Sequence, residues 1–414
     1  MSKLIFANRG FTYLYFGGLV SISGSTITSL ILVWLIYTET ESALAITYMG
    51  IASILPTITI GLLAGVVVDR FDRRILMIAS DLVRACAVAA VPLVLIWRGF
   101  SLPLILVVVA IVGLFSTVFR PATNSLLPRL VPAKSVQDAN GVISASNSVV
   151  QMISNALGGV LIGLAGVLLG LFYNTITYVI SAVMIFLIVV PPHLNNGPTQ
   201  KSSFWDDFKD GLRYISKNKP VLETTISSTV LNFFATMVGS FFVVYVTTYL
   251  NESGTFFGFL VAALGLGLAG GSLIIGRLNT VAYAGRLFIL GSAGFGLGTL
   301  VLTWVGTPEF AVVVVALMGI CLGLINTTFF SLMQLVVPNE ILGRVLSVDE
   351  VGSFAAIPLG QIAAGLLISS SGIVFSYLVS GAGVVVTAVA MVFLKDLRNF
   401  RYAPTAVSET NSSL

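Results

Sequence analysis

The run Gly65-Val-Val-Val-Asp69-Arg70-Phe71-Asp72-Arg73-Arg74 places five charged residues in six positions between two long apolar segments. Residues 42 to 68 before it carry no charge, and the run from Ile75 to Trp97 after it holds only Asp81 and Arg84. A membrane-crossing helix needs ~20 apolar residues, so each flank is long enough to span a bilayer. The charged turn between them reads as a short cytoplasmic hairpin joining two spans. Gly65 offers a point where another backbone can approach closely, and Asp69 follows it by one helical turn.

Composition extends this reading to the whole chain. Of 414 residues, 57% are hydrophobic and 9% charged, with a mean hydropathy of +1.02, against roughly 25% charged in ordinary globular chains. The net charge of +4 is spread over the ends of apolar runs, so no nucleic-acid partner is expected. Cys86 and Cys321 both lie inside apolar segments, and the single histidine, His193, sits beside Pro191-Pro192. Neither a disulfide, a metal, a cofactor nor a catalytic group is expected, and the chain does not read as an enzyme. The first apolar run is too long for a cleavable signal peptide and lacks a small-residue cleavage site.

Charge-free windows predict spans near 11–38, 43–68, 75–97, 101–123, 140–165, 169–190, 221–250, 254–276, 286–305, 310–334, 346–369 and 372–394. Residues 139 to 200 contain no Asp, Glu, Lys or Arg and must hold two spans, divided near Gly166 to Gly170, while Ser369-Ser-Ser-Gly372 marks the last outer turn. With twelve spans, 20 of the 21 lysines and arginines fall on the side of both termini and only Arg98 lies opposite. Both termini are therefore expected in the cytoplasm, with the chain a multi-pass protein of the plasma or inner membrane.

Ser125-Leu-Leu-Pro-Arg-Leu-Val-Pro132 is similar to Ser331-Leu-Met-Gln-Leu-Val-Val-Pro338 at an offset of 206, half the chain, and near that offset Gly276-Arg277 matches Asp69-Arg70. Two halves related by a parallel repeat follow, with a substrate site expected between them near the bilayer midplane. The expected division is an N-terminal six-helix bundle at 1–191, a cytoplasmic linker at 192–219, a C-terminal six-helix bundle at 220–394 and a cytoplasmic tail at 395–414. Within the linker Phe204, Phe208, Leu212 and Ile215 recur at helical spacing among charged residues, which predicts an amphipathic surface helix that tethers the halves.

The Gly65 to Arg74 run resembles the loop signature of the major facilitator superfamily: a Gly, then Asp-Arg, then a Gly followed by two basic residues. Asp72 stands where the second Gly usually is, and Asp tolerates turn or left-handed geometry. In this form, and in the linker's Lys-Asp-Gly-Leu-Arg-Tyr run, the chain resembles the macrolide and drug efflux branch, which includes enterobactin exporters. The fold implied is an all-α integral membrane protein with twelve transmembrane helices in two pseudo-symmetric six-helix bundles. The resemblance also implies a conformational gate at Gly65, Asp69, Arg70, Asp72, Arg73 and Arg74, in which Asp69 meets the start of the eleventh span near Arg344 to Ser347. Two family features are altered: Val112-Gly113 occupy the region of an expected arginine, with Arg120 nearer the cytoplasm, and the fifth span reads Ser154-Asn155-Ala156-Leu157-Gly158-Gly159 where exporters carry Gly-Pro-x-x-Gly-Gly. Gly158, Gly159 and, in the eleventh span, Pro358 are the expected helix-packing positions.

Ionisable groups in or bordering spans are costly to bury and are the default functional candidates. They are Asp81 and Arg84, three residues apart and able to pair as a gate or as a proton-coupling group, with Glu223, Asp349 and Glu350. Asp349 and Glu350 are expected in the first turn of their helix, as dipole-favoured caps. Ser144, Asn147, Gln151, Ser154 and Asn155 share one face of the fifth span and are expected to line the central cavity or to bond neighbouring helices. Asn232 and Asn326 are further cavity candidates, with Thr236, Ser25 and Thr28 behind them, and Trp34, Tyr245 and Phe329 could stack on a lipophilic solute. No acid reads as lying at the midplane, so a neutral or weakly charged lipophilic substrate is expected.

The function expected is export of a small lipophilic or amphipathic, drug- or macrolide-like compound by alternating access with proton antiport, by a monomer in the lipid bilayer. A siderophore exporter, an uptake carrier and a lysophospholipid flippase are alternatives within the same fold; a non-transporting membrane sensor is the alternative outside it. Asp69→Asn is expected to leave expression intact and abolish transport; normal transport by a well-folded Asp69→Asn protein would remove the gate role.

Overall fold

The computed structural model describes residues 8–132, 135–164, 166–189, 204–278 and 283–399. The linker from 192 to 203 and the tail from 400 onward lie outside the described residues, as do the side chains of Gly65, Asp69, Arg70, Arg120, Phe204 and Arg277. Among the described residues the first half contains α1 (Arg9–Thr40), α2 (Ala43–Arg70), α3 (Arg73–Arg98), α4 (Leu102–Leu126), α5 (Val136–Leu164) and α6 (Gly166–Phe186). Then come α7 (Phe204–Lys217), α8 (Lys219–Gly239), α9 (Gly254–Leu278), α10 (Ala284–Leu302), α11 (Pro308–Val336), α12 (Asn339–Phe393) and the short α13 (Lys395–Arg398). The chain continues beyond α8 through Phe242–Val244 and a π-type turn at Tyr245–Tyr249.

Nine described helices are long and apolar enough to cross a membrane, the segment Ile341–Phe393 among them as one. That segment belongs to α12, which is two helices joined at Gly372, where φ is 83°. With this break, and with α2 and the more polar α5 of 28 and 29 residues, the architecture is consistent with twelve spans.

Local chemistry explains the helix ends. The Asn8 side chain caps α1 by accepting from Gly10 N at 2.8 Å, and its amide donates to Leu130 O at 2.6 Å, which ties the start of α1 to the segment after α4. Asp72 caps α3, accepting from the backbone N–H groups of Arg74 and Ile75 at 3.0 Å each. Its backbone is extended, with φ −61° and ψ 121°, so the residue replaces the usual Gly by capping the next helix and not by adopting left-handed geometry. Gly99 and Gly166 take the positive φ values, 79° and 78°, that turn the chain after α3 and before α6. Glu41 and Asn251 are the described non-glycine residues with positive φ.

Helix pairings repeat between the halves. In the first, α2 packs on α4 and α3 on α4; in the second, α9 packs on α11 and α10 on α11. The halves meet through α5 against α9 and α2 against α12. We call the end holding Phe71–Asp72 the Asp72 end and the other the Gly372 end. The seam closes toward the Gly372 end, where Gly159 and Gly258 face each other so closely that a Cβ on either would stand 1.8 Å from the other's Cα. Beside them Trp34 stacks on Phe257 with ring centroids 5.8 Å apart. On the other side of the seam Thr47 Oγ1 donates to Gln361 O at 3.1 Å.

Helix α7 lies on α12, where Gly211 lets it approach the Arg344 backbone. Asp210 pairs with Arg344 at 3.1 Å, and Tyr214 donates to Val336 O at 3.0 Å, its phenol pushed up in pKa by burial. Ile215 is buried and Phe208 half-buried, whereas Leu212 is 50% exposed, so the docked face runs through Gly211 and Ile215 and leaves out Leu212.

Replacing Gly159 should hold the seam open, because α5 and α9 cannot approach past a larger side chain. In a Cys86→Ala/Cys321→Ala background, Ile162→Cys and Gly254→Cys are expected to cross-link on mild oxidation. Adding Gly159→Leu should suppress that cross-link, and adding Gly141→Leu, where a Cβ meets nothing within 4 Å, should not.

Candidate functional site

A cavity of about 300 Å³ lies on the seam between the halves, enclosed by α1, α2, α8, α9 and α12. Ser29, Ser53, Ser240 and Gln361 give it polar points among Val33, Met49, Phe257 and Leu264. A groove of about 430 Å³, lined by Ser25, Thr26, Ser29, Leu30, Gln151 and Asn155, adjoins it through Ser29 and Leu30. A third space of about 150 Å³ enters the first bundle between α1, α4 and α6, past Ser25, Thr28, Asn174 and Tyr178. Ser29 is common to all three.

Two of the five amides singled out in the sequence, Gln151 and Asn155, therefore reach this central region from α5. Asn147 lies on α5 and lines none of the three spaces. Asn232 and Asn326 line a separate pocket inside the second bundle. Gln361 escaped the sequence reading although it is a lone amide in the apolar run from Ala355 to Ser369, which is the signal that could have found it. Its Nε2 donates to Ser240 Oγ at 3.0 Å and its Oε1 is buried without a hydrogen-bond partner among the described residues. Trp34 belongs to the seam contact, and Tyr245 is buried with its hydroxyl donating to Leu302 O at 3.0 Å. Gly158 faces Leu30 and Ile27 of α1 while Gly159 faces α9, so α5 is packed closely on two sides. Pro358 stands two residues before Gly360, whose bare backbone lies against Phe233 O of α8.

The ionisable candidates divide by location. Asp81 and Arg84 form a buried ion pair inside the first bundle, not across the seam. Arg84 lies between the rings of Phe119 and Tyr178, 4.5 and 4.6 Å from their centroids, and also donates to Ser80 O at 3.3 Å. Stacking and pairing together supply what a cation needs away from water. Tyr178 in turn shares a hydrogen bond of 2.9 Å with Ser25, so the pair is linked through one ring and one hydroxyl to the groove. The Ser181 hydroxyl is the polar group beside the Asp81 carboxylate, whose Oδ2 meets no other hydrogen-bond partner among the described residues.

Asp349 is the eleventh residue of α12, about 15 Å from its start at 1.5 Å per residue. It is not the first-turn cap that the sequence suggested, because the helix begins at Asn339. The residue is buried, accepts from Ser228 Oγ at 2.9 Å and borders a pocket, so the second half does hold an acid inside its apolar interior. Glu350 is half-buried beside it. Glu223 lies in the second turn of α8 and accepts from Leu397 N at 2.8 Å, which ties α13 to α8.

Of the gate residues, Arg74 binds its own half. Its Nε donates to Ile185 O at 3.1 Å, its Nη2 to Phe186 O, and its guanidinium lies 5.2 Å from the Phe186 ring, at the C-terminal end of α6 where a cation suits the exposed carbonyls. Arg73 Nε is buried with no hydrogen-bond acceptor among the described residues. Arg344, near the expected partner of Asp69, is paired with Asp210.

Removing Arg84 would leave Asp81 buried and unpaired, which costs about 3–5 kcal/mol in such pairs. Arg84→Gln is expected to lower the melting temperature in detergent strongly, and Asp81→Asn/Arg84→Gln to recover most of the loss. Equal melting temperatures for the native protein and Arg84→Gln would show that the pair carries no such weight.

Comparison with known proteins agrees with this architecture. Residues 4–411 match the family described as Transmembrane secretion effector, MFS_3. The multidrug efflux pump Tap of Mycobacterium tuberculosis is 26% identical over 418 residues, covering 97% of each chain. Macrolide efflux protein A of Streptococcus pyogenes is 22% identical over 393 residues, 94% of this chain and 96% of that one. The fold superposes on a crystal structure of a variant of the nucleoside transporter NupG with a TM-score of 0.76 at 12% identity, over 94% of this chain and 100% of that one. The chain is a multi-pass membrane protein of the major facilitator superfamily, within the family of transmembrane secretion effectors.

Proposed function

We propose that this protein exports a small lipophilic or amphipathic compound by alternating access, driven by proton antiport. The observation that carries the reading is the seam: two bundles in backbone contact at Gly159 and Gly258, with a cavity of about 300 Å³ between them. Bundles that touch through small residues at one end and enclose a polar-spotted space can rock about that space, which is the transporter geometry. The names of the relatives, a macrolide efflux protein and a multidrug efflux pump, support outward movement of drug-like solutes. The excess of Lys and Arg toward the Asp72 end supports a cytoplasmic position for that end and both termini, in the cell membrane.

In this cycle the residue 1–191 and 220–394 bundles are the moving bodies and the 192–219 linker, with α7 docked on the second bundle, joins them. Ser29, Gln151, Asn155 and Gln361 contact the solute. Asp81 takes up and releases the proton, since breaking its pairing with Arg84 is the electrostatic event that can couple proton to conformation. The working unit is the single chain in the bilayer.

Cells expressing the protein should accumulate less of a fluorescent lipophilic dye than control cells, and a protonophore should abolish the difference. Lower accumulation that survives the protonophore would overturn proton coupling. Higher accumulation would indicate an uptake carrier, and unchanged accumulation of dyes, siderophores and lysophospholipids alike would indicate a sensor.

A further inference from the structure

Inside the second bundle, apart from the seam cavity, lies a pocket of about 200 Å³ between α8, α10, α11 and α12. Its walls are Phe288 and Phe295 of α10, Phe329 and Phe330 of α11, and aliphatic side chains including Leu231 and Ile325; its polar groups are Ser228, Asn232, Asn326 and Asp349. We infer that this pocket binds the ammonium group of an amphipathic organic cation, with the Asp349 carboxylate as counter-ion and the phenylalanine rings around the alkyl groups on nitrogen.

The argument is one of unmatched charge. Asp349 is buried and accepts a hydrogen bond from Ser228, and no lysine or arginine pairs with it among the described residues. A carboxylate in an apolar interior is costly unless a positive charge meets it or a proton neutralises it. The rest of the lining supplies acceptors and ring faces. The Asn232 amide nitrogen donates to Ser228 O at 3.0 Å and Ser353 Oγ at 3.2 Å, which leaves its carbonyl oxygen for a ligand. Ring faces attract a cation, most strongly where water is excluded. An anion would meet the carboxylate and those same acceptors, and a neutral apolar molecule would leave the carboxylate unpaired.

Access is from the side that lipid does not cover. Asn326, Phe330 and Gln334 are exposed on one face of α11, and Phe310, Val313 and Leu317 on the opposite one; Asn326 and Leu317 are nine residues apart, half a turn in phase at about 100° per residue. The face of Phe310, Val313 and Leu317, apolar beyond Glu309 at the helix start, suits lipid and the face with two amides suits water, so Asn326 and Phe330 form the mouth.

The same carboxylate can hold a proton in place of the ligand, so proton and organic cation compete for this one group, separately from the Asp81 exchange proposed above; that the bound cation is then exported rests on the proposed function. The charged neighbour on its own helix is Glu350. From α8 it is faced by Ser228 and Asn232, from α10 by Phe288 and Phe295, and from α11 by Asn326, Phe329 and Phe330, none of them charged. Helix α7 reaches α12 one turn nearer the Asp72 end, where Asp210 and Arg344 neutralise each other. Acidification therefore weakens cation binding, because the protonated carboxyl no longer pairs with the ligand.

The test is equilibrium dialysis of radiolabelled benzyltrimethylammonium, a permanent cation, against the purified full-length protein in a neutral detergent. Saturable binding is expected that weakens as pH is lowered, falls at least tenfold in Asp349→Asn and persists in Asp349→Glu. Phe330→Ala, at an exposed position, should weaken binding several-fold without disturbing the core and decides the matter if Asp349→Asn does not fold. Absence of saturable binding, or binding unchanged in Asp349→Asn or in Phe330→Ala, overturns the site. Protonophore-sensitive export of a neutral dye without benzyltrimethylammonium binding would leave the proposed export standing and remove this pocket from it.

Discussion

The contact between Gly159 and Gly258 is the interaction on which the arrangement of the two bundles depends. Two helices come within van der Waals reach along their backbones only where neither carries a side chain, and here a single Cβ would stand 1.8 Å from the opposite Cα. That approach draws α5 onto α9 and sets Trp34 against Phe257. It also leaves the space between Ser29, Ser240 and Gln361 enclosed toward the Gly372 end. Helix association among apolar tails gains little from the hydrophobic effect, so close packing of small residues supplies much of the attraction.

Polar groups obey a second constraint. In an interior of this hydropathy each one must find a partner, a cavity or the surface. Arg84 is satisfied by Asp81, the Ser80 carbonyl and two aromatic rings. Glu223 is satisfied by a backbone N–H of α13, and Arg74 by the last carbonyls of α6. Against these, Asp349 has a hydroxyl and a pocket, and Gln361 has Ser240 for its nitrogen and nothing for its buried oxygen. These two incompletely satisfied groups, Asp349 and Gln361, border cavities, which is where a solute can complete them.

The paired architecture gives the two halves different interiors. Equivalent helices pack in equivalent ways, yet among the described residues the first bundle buries an ion pair of its own and the second an acid without a cation. A near-symmetric scaffold thus carries an asymmetric charge distribution among the described residues.

The helices were legible in the sequence because their causes are local. Apolar runs long enough to span, the break at Gly372, the turn near Gly166 and the docked helix from Phe204 follow from hydropathy and backbone preference within a few residues. The Asp81–Arg84 pair was legible as a possibility too, since a spacing of three on one helix allows it. Which side chains share a space was decided by tertiary structure, because it depends on the rotation of one helix against another. That is why Gln151 shares a groove with Ser25 while Asn147 on the same helix lines none of the three spaces at the seam, why Leu212 lies off the docked face of its helix, and why Asp349, read as a helix cap, is a buried group in an aromatic pocket. Periodicity places a residue on a face; only the packing of the bundles determines what that face meets.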